Sequence, residues 1–369
     1  MKIFVLKVLK HLSALLGLWI LFMPVAHASE PAFVREGLRA RGMGNAFTAV
    51  ANDEMLLFYN PAGLRSVNYN IYEIVGFNFT ANENTLSMGN ASSKFSTLGD
   101  LAGTKLYVES NVGLLSHVNS RFGWSFFQNT LIDIQVRNPV FPYLETRSFV
   151  QAGLAGGIAW SFLDYQLDVG LGAKLVQRFG IDTKFHILDE AMIELIEENK
   201  YTKLSKKFES KAAFAPDAGA IYHFDGVHNL HPKVAISLQN IGGLEFNNAG
   251  KVPMTMNLGI STESELGGFD IILAADYHDL TDAQKMVSKG NPITERNIKF
   301  GTEIGWKKLF NGHHLFSFRA GRNGPYNSAG WTMNLFGFKI DVAKYAQEIG
   351  GYSGELMDKR TSLQVSLIF

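Results

Sequence analysis

The chain has 369 residues, with 34 Lys and Arg against 34 Asp and Glu, 46% apolar residues and no Cys. Net neutrality excludes the basic field that a nucleic-acid surface needs. The apolar content excludes a disordered chain, and the missing Cys excludes disulfide scaffolds, thiolate metal sites and cysteine nucleophiles.

Residues 1–28 follow the plan of an export signal. Lys2, Lys7 and Lys10 form a charged start, Leu12 to Val25 an apolar run, and Ala26-His27-Ala28 a small-x-small cleavage site. The run from Leu12 to Met23 is short of the ~20 residues of a membrane-spanning helix, and no later stretch reaches that length.

Residues 29–67 precede the first long strand. They carry Gly42-Met43-Gly44, a helix expected from Ala46 to Phe58, and the break Asn60-Pro61-Ala62-Gly63. Gly42 and Gly44 permit close backbone approach. Pro61 is expected to end the helix and fix a turn.

From residue 68 to 369 the dominant signal is alternation. Leu167, Val169, Leu171, Ala173 and Leu175 lie opposite Gln166, Asp168, Gly170, Gly172 and Lys174, and Ile298, Phe300, Thr302, Ile304 and Trp306 lie opposite Lys299, Gly301, Glu303, Gly305 and Lys307. Phe269, Ile271, Leu273, Ala275 and Tyr277 likewise oppose Asp270, Ala274, Asp276 and His278. The pattern predicts about fourteen strands, near 69–80, 109–118, 121–136, 148–163, 166–183, 211–224, 232–242, 254–263, 267–280, 297–309, 313–323, 328–335, 338–347 and 361–369. Turn signals separate them, among them Asn119-Ser120, Leu163-Asp164, Gly267-Gly268, Gly324-Pro325 and Phe336-Gly337.

Alternation alone also describes a soluble β-sandwich. Strand length favours a transmembrane antiparallel barrel, as does an even strand count. Aromatic residues near strand ends point the same way, namely Tyr69, Tyr72, Trp124, Trp160, Tyr165, Tyr222, Tyr277, Trp306, Trp331 and Tyr345. So wide a barrel is not filled by its own side chains and needs an internal plug. Arg39, Arg41 and Asp53 are placed to pair with inward charges, for which Asp168, Lys299, Glu303 and Arg319 qualify by alternation.

Two further segments stand apart. In 186–208, Ile187, Leu188, Ala191, Met192, Leu195 and Ile196 share a helical face opposite Asp189, Glu190, Glu194, Glu197 and Glu198, ahead of a basic stretch from Lys200 to Lys207. This reads as a loop with a short amphipathic helix, either solvated or touching lipopolysaccharide or a partner. His223, His228 and His231 lack zinc-site spacing and read as a turn. Neither a nucleophile elbow nor a phosphate loop is present, so no catalytic residue, metal or cofactor is assigned.

The last strand, Ser362 to Phe369, points Leu363, Val365, Leu367 and Phe369 outward and ends on an aromatic. In this it resembles the terminal strands that the barrel-assembly machinery reads in bacterial outer membranes. The run from Leu38 through Arg39, Arg41, Gly42, Met43, Gly44, Asn45, Ala46, Phe47 and Asp53, followed by Tyr59-Asn60-Pro61-Ala62-Gly63-Leu64, closely resembles the N-terminal signature of the PorV-like branch of the FadL superfamily. Ile349 to Glu355 is similar to that family's final loop. The resemblance implies a fourteen-stranded barrel in the bacterial outer membrane, with Arg39, Arg41, Gly42, Met43, Gly44, Asn45, Asp53, Asn60 and Pro61 in an inward-folded hatch. It implies binding or transport of hydrophobic small molecules, with outer-membrane lipid, the assembly machinery and a hydrophobic ligand as partners. The PorV-like branch adds a second expectation, a secretion or surface-attachment accessory that binds secretion-system proteins. A lipid-modifying enzyme assembled from distant strands is a third.

Overall fold

The computed structural model describes residues 33–88, 103–137, 143–186, 189–190, 202–224, 229–281, 283, 294–309, 313–350 and 354–369. The expected export signal, most of the 186–208 helix and His228 lie outside these residues. In chain order the strands are β1 Ile71–Asn82, β2 Lys105–Val118, β3 Phe122–Arg137, β4 Tyr143–Phe162, β5 Leu167–His186, β6 Glu209–His223, β7 His231–Gln239, β8 Leu244–Glu245 and β9 Lys251–Val252. They continue as β10 Thr255–Leu266, β11 Phe269–Tyr277, β12 Ile298–Lys308, β13 His314–Asn323, β14 Tyr326–Leu335, β15 Phe338–Glu348 and β16 Met357–Ile368.

Fourteen of these strands form a closed antiparallel barrel, and β8 and β9 pair as a separate small hairpin. Closure is made by β1, which pairs with β2 on one side and β16 on the other, so that no sheet edge is left open. The terminal Phe369 takes part, exchanging both backbone hydrogen bonds with Tyr72 at 2.8 Å. The expected strand count is met, with local shifts. The strand expected at 232–242 stops at Gln239 because Asn240, Gly242 and Gly243 all take positive φ, and Asp217 holds the Asn240 N–H at 2.7 Å. The chain then folds into the β8–β9 hairpin.

The two faces of the sheet differ as the alternation requires. Outward rows present Leu171, Leu175, Phe179, Leu273, Phe300, Ile304, Phe318, Leu363, Val365 and Phe369, all exposed, while Asp168, Lys174, Arg178, Lys299, Glu303 and Arg319 are buried inside. Among the described residues no helix is long and apolar enough to cross a membrane. The strands cross it, since a closed barrel satisfies its backbone internally and turns an apolar belt to lipid. One expected interfacial aromatic departs from this. Tyr345 is buried in an inward row, where its ring lies 5.2 Å from the Arg41 guanidinium carbon.

Connections 119–121, 163–166, 267–268 and 336–337 gather on one rim, and the longer 83–104, 187–208, 240–254 and 278–297 on the other. Bacterial barrels keep short turns on the periplasmic side and long loops outside, which orients this one.

The N-terminal segment runs down the lumen. Only Leu38–Gly42 forms an α-helix, and the helix expected from Ala46 to Phe58 is absent. Asp276 on β11 anchors its start by accepting from the N–H groups of Phe47 and Thr48 at 2.8 and 2.7 Å, and the chain makes a single turn there, with the Ala51 N–H on the Phe47 carbonyl at 3.0 Å. The ladder does not continue: Asp53 takes the Met55 N–H at 2.9 Å, which a helix would send to Ala51, leaving one 3₁₀ turn at Leu56–Phe58. Pro61 opens a second 3₁₀ turn, Pro61–Ser66, in place of the expected role of ending a helix; Asn60 caps it by accepting from Ala62 at 3.1 Å.

Leu56, Leu57, Phe58 and Leu64 of this segment pack with Phe127, Ala155, Ala159, Val176 and Ala215 of the β3–β6 wall. Phe58 meets Phe127 edge to face at 5.2 Å. Each such side chain contributes about 1.5–3 kcal/mol of burial. On the opposite wall the contact is backbone to backbone. A Cβ at Gly301 would collide with the Met43 carbonyl, one at Gly321 with the Gly44 amide, and Gly44 itself needs φ +64°. Gly301→Val and Gly321→Val should therefore unseat the segment and raise ion conductance in planar bilayers, whereas Thr302→Val on the outer face should leave the barrel closed.

Candidate functional site

The lumen is organised in layers. Toward the short-turn rim lies a chain of buried charges. Arg39 makes a bidentate contact with Glu303 at 2.8 and 2.9 Å, Glu303 also accepts from Arg319 at 2.6 Å, and Arg319 reaches Asp341 at 2.9 Å. Lys339 beside them donates to Glu54 at 2.5 Å, and Arg39 touches Asp53 at 3.3 Å. Glu303 and Arg319 are 2% and 6% exposed, so the pairs are desolvated and each carboxylate depends on its cations. A cavity of 290 Å³ opens next to this chain, lined in part by Arg65, His223, His313 and Asn334. Burial pushes the His313 imidazole down to about 4, so it is neutral at pH 7.

Higher in the lumen Arg41 donates to Glu109 at 2.8 Å and to Glu36 at 3.3 Å, and Asn45 donates to Glu36 at 2.6 Å. Tyr107 also donates to Glu109, at 2.8 Å. Above this, on the long-loop side, Phe33, Val34, Tyr107, Leu131 and Phe149 line a pocket that also contains Arg147, Arg178 and Asp182. Arg178 is held between two aromatic rings, 4.0 Å from the Phe149 centroid and 4.2 Å from that of Phe246, and donates to Gln151 at 2.9 Å. Cation–π packing of this kind keeps a guanidinium flat against apolar surface without a carboxylate partner.

The residues singled out in the sequence are distributed through this arrangement. Arg39, Glu303 and Arg319 come together, with Asp53 at one end. Arg41 finds Glu109, an inward carboxylate that the reading of faces did not pick out. Gly42 packs on Gly330, and its carbonyl accepts from Ser328 at 3.1 Å. Asn60 also donates to the Thr48 carbonyl at 3.0 Å, tying two parts of the segment together. Asp168 and Lys299 do not meet the segment's charges. Asp168 accepts from Ser161 at 2.5 Å and pairs with His223 at 2.7 Å, and Arg65 donates to Ser161 at 2.7 Å, so the segment reaches Asp168 only through that hydroxyl. Asp168 stands between the serine and the histidine near the short-turn rim. Lys299 donates to the Arg296 carbonyl at 2.8 Å and to Asn323.

The sequence reading set Asp276 on the polar face without giving it a partner, and passed over Glu54, Lys339, Ser237 and Gln239, the last two of which both donate to the Tyr59 carbonyl at 2.5 and 2.7 Å. Lys339 and Asp341 were legible in principle, because Phe338-Lys339-Ile340-Asp341-Val342 alternates like its neighbours.

Neither a family model nor a curated protein matches the chain. Among solved structures the chain is similar to the "CymD monoaromatic hydrocarbon channel", at 12% identity with a TM-score of 0.49, covering 92% of this chain and 98% of that one. It is also similar to the Ralstonia pickettii toluene transporter TbuX, at 11% identity with a TM-score of 0.48 over 90% and 97% of the two chains. A Pseudomonas aeruginosa FadL homologue aligns at 12% identity with a TM-score of 0.46 over 94% and 98%. The barrel itself is established by its own strand pairing.

Removing a shared carboxylate leaves like charges facing each other in a dry site. Glu303→Leu should cost about 3–5 kcal/mol in denaturant unfolding of the micelle-bound barrel. Glu54→Gln, which strands only Lys339 beside Asp341, should cost less.

Proposed function

We propose that this chain is an outer-membrane member of the FadL superfamily that binds hydrophobic small molecules at its outer mouth and passes them across the membrane. The observation that carries the reading is a pocket in which Phe33, Tyr107, Leu131 and Phe149 stand among charged side chains such as Arg147, Arg178 and Asp182, set above a lumen that the N-terminal segment fills. A filled lumen opposes free diffusion of water and ions, so a solute has to be bound and the segment's contacts displaced. The pocket holds about 40 Å³ as it stands, so a solute enters only as the segment gives way and uncovers the rings of Tyr107 and Phe149, which favour a solute that water holds poorly. The signature from Leu38 to Leu64 supports the superfamily, and its finer match favours the PorV-like branch. On this reading residues 1–28 direct export and are removed, and the outward Leu363, Val365, Leu367 and Phe369 serve recognition by the assembly machinery.

The same signature favours a second reading, a secretion accessory that binds protein partners in place of small solutes. Proteoliposome uptake separates the two. Radiolabelled oleate and toluene should enter faster than into protein-free vesicles, and Phe149→Ser or Leu131→Asn should slow entry about tenfold while the barrel keeps its heat-modifiable migration. Uptake no faster than in protein-free vesicles, together with co-purification of a secretion complex from native membranes, would overturn the first reading in favour of the second.

A further inference from the structure

The outer wall carries a feature unrelated to the lumen. An apolar depression of 780 Å³ runs across β7 and β10–β13, lined by Val234, Ile260, Leu273 and Phe300 and including the small Ala275 and Ala320. Its course follows the strand register, Val234 beside Ile260, Ile260 beside Ala275, Ala275 beside Phe300 and Phe300 beside Arg322. Because the strands are staggered, this row begins near the start of β7 at the periplasmic side and ends one residue from the tip of β13 at the outer side. The groove therefore descends obliquely through the apolar belt, with Arg322 at its upper end.

Arg322 is exposed on the outward face, and its Nε donates to the Gly324 carbonyl at 2.9 Å, which orients the guanidinium beside the rim. The outward rows of β15 and β16 place two more cations near the same rim. Lys344 lies opposite Thr361 and Lys359 opposite Ala346, so the two are diagonal neighbours on adjacent strands. Lys359 has one exposed acidic neighbour, Glu83 at 3.8 Å, a pair that solvent screens heavily. Among the described residues, the outward positions of these upper strand ends hold cations and no exposed carboxylate. Arg322 tops the groove on β13, and Lys344 and Lys359 follow two and three strands further round the rim on β15 and β16, with the exposed carboxylates Glu83 and Glu295 in the flanking connections.

We propose that this face binds a phosphorylated glycolipid of the outer leaflet, one acyl chain lying in the groove and a headgroup phosphate held by Arg322 with Lys344 and Lys359 alongside. A guanidinium at a bilayer surface binds phosphate through paired N–H donors, and each cation near the surface favours an anionic headgroup.

The test uses the full-length barrel in detergent, incubated with diphosphorylated lipid A, dephosphorylated lipid A or phosphatidylglycerol, and native mass spectrometry of the retained lipid. Wild type should retain diphosphorylated lipid A well above the other two. Arg322→Gln and Lys344→Gln should each lower retention about fivefold, and Ala320→Phe, which fills the groove without touching a charge, should lower it as well. Heat-modifiable migration reports that each variant is folded. Equal retention of the two forms of lipid A, or a preference for phosphatidylglycerol, would overturn the proposal, as would full retention by the folded Ala320→Phe barrel.

Discussion

A closed sheet of fourteen strands encloses more space than its own inward side chains fill, and the lumen of this protein follows from that constraint. The space is filled by a segment with little regular structure, whose backbone donors and acceptors must then be satisfied by the wall. Asp276 takes two of its N–H groups, Ser237 and Gln239 take the Tyr59 carbonyl, and Gln151 takes that of Val34 at 2.8 Å. The wall is thus a template, and the segment's irregular path is the shape of the template. Where side chains give no room, at Gly44, Gly301 and Gly321, main chain rests on main chain.

Charge is distributed by the same constraint. Facing lipid, an uncompensated charge is costly, so the ionisable groups turn inward, where each must find a partner in a dry interior. The chain from Arg39 through Glu303 and Arg319 to Asp341 answers this by sharing partners, so that no single contact is independent of the next. Such a network specifies one seating of the segment. It also leaves a polar cavity on one side of the segment and a tightly packed apolar interface on the other, an asymmetry with consequences for any route a solute takes. The few charges that do face outward cluster near one rim, where the interface supplies partners that the bilayer interior lacks.

Much of the barrel was legible in the residues. The period-two alternation in Leu167–Leu175 or Ile298–Trp306 states which side chains meet lipid, and it did so correctly at Phe300, Glu303 and Lys174. Turn residues such as Gly267-Gly268, both with positive φ, marked where strands stop. Tyr345 was misread because an aromatic near a strand end carries no indication of face unless its parity is followed, and its neighbours Asp341 and Ala343 put it inside. The helix expected between Ala46 and Phe58 failed because local propensity yielded to tertiary contacts: Asp276, more than 200 positions away, ties Phe47 and Thr48 to the wall, and Asp53 takes the Met55 N–H that a helix would send to Ala51.

The sequence by itself determined the strand count and the two faces of the sheet, because both follow from local periodicity, and the need for a plug, which follows from volume; the segment that fills the role was legible through its resemblance to a known hatch. Only the tertiary structure decided which charges meet. Pairing across the lumen depends on the stagger of the strands and on the path of the segment, and both are set by closure of the whole ring. Thus Arg41 reaches Glu109, while Asp168, of equal standing by alternation, is left to His223 and Ser161. Closure likewise turned outward residues distant in the chain into one groove ending at Arg322.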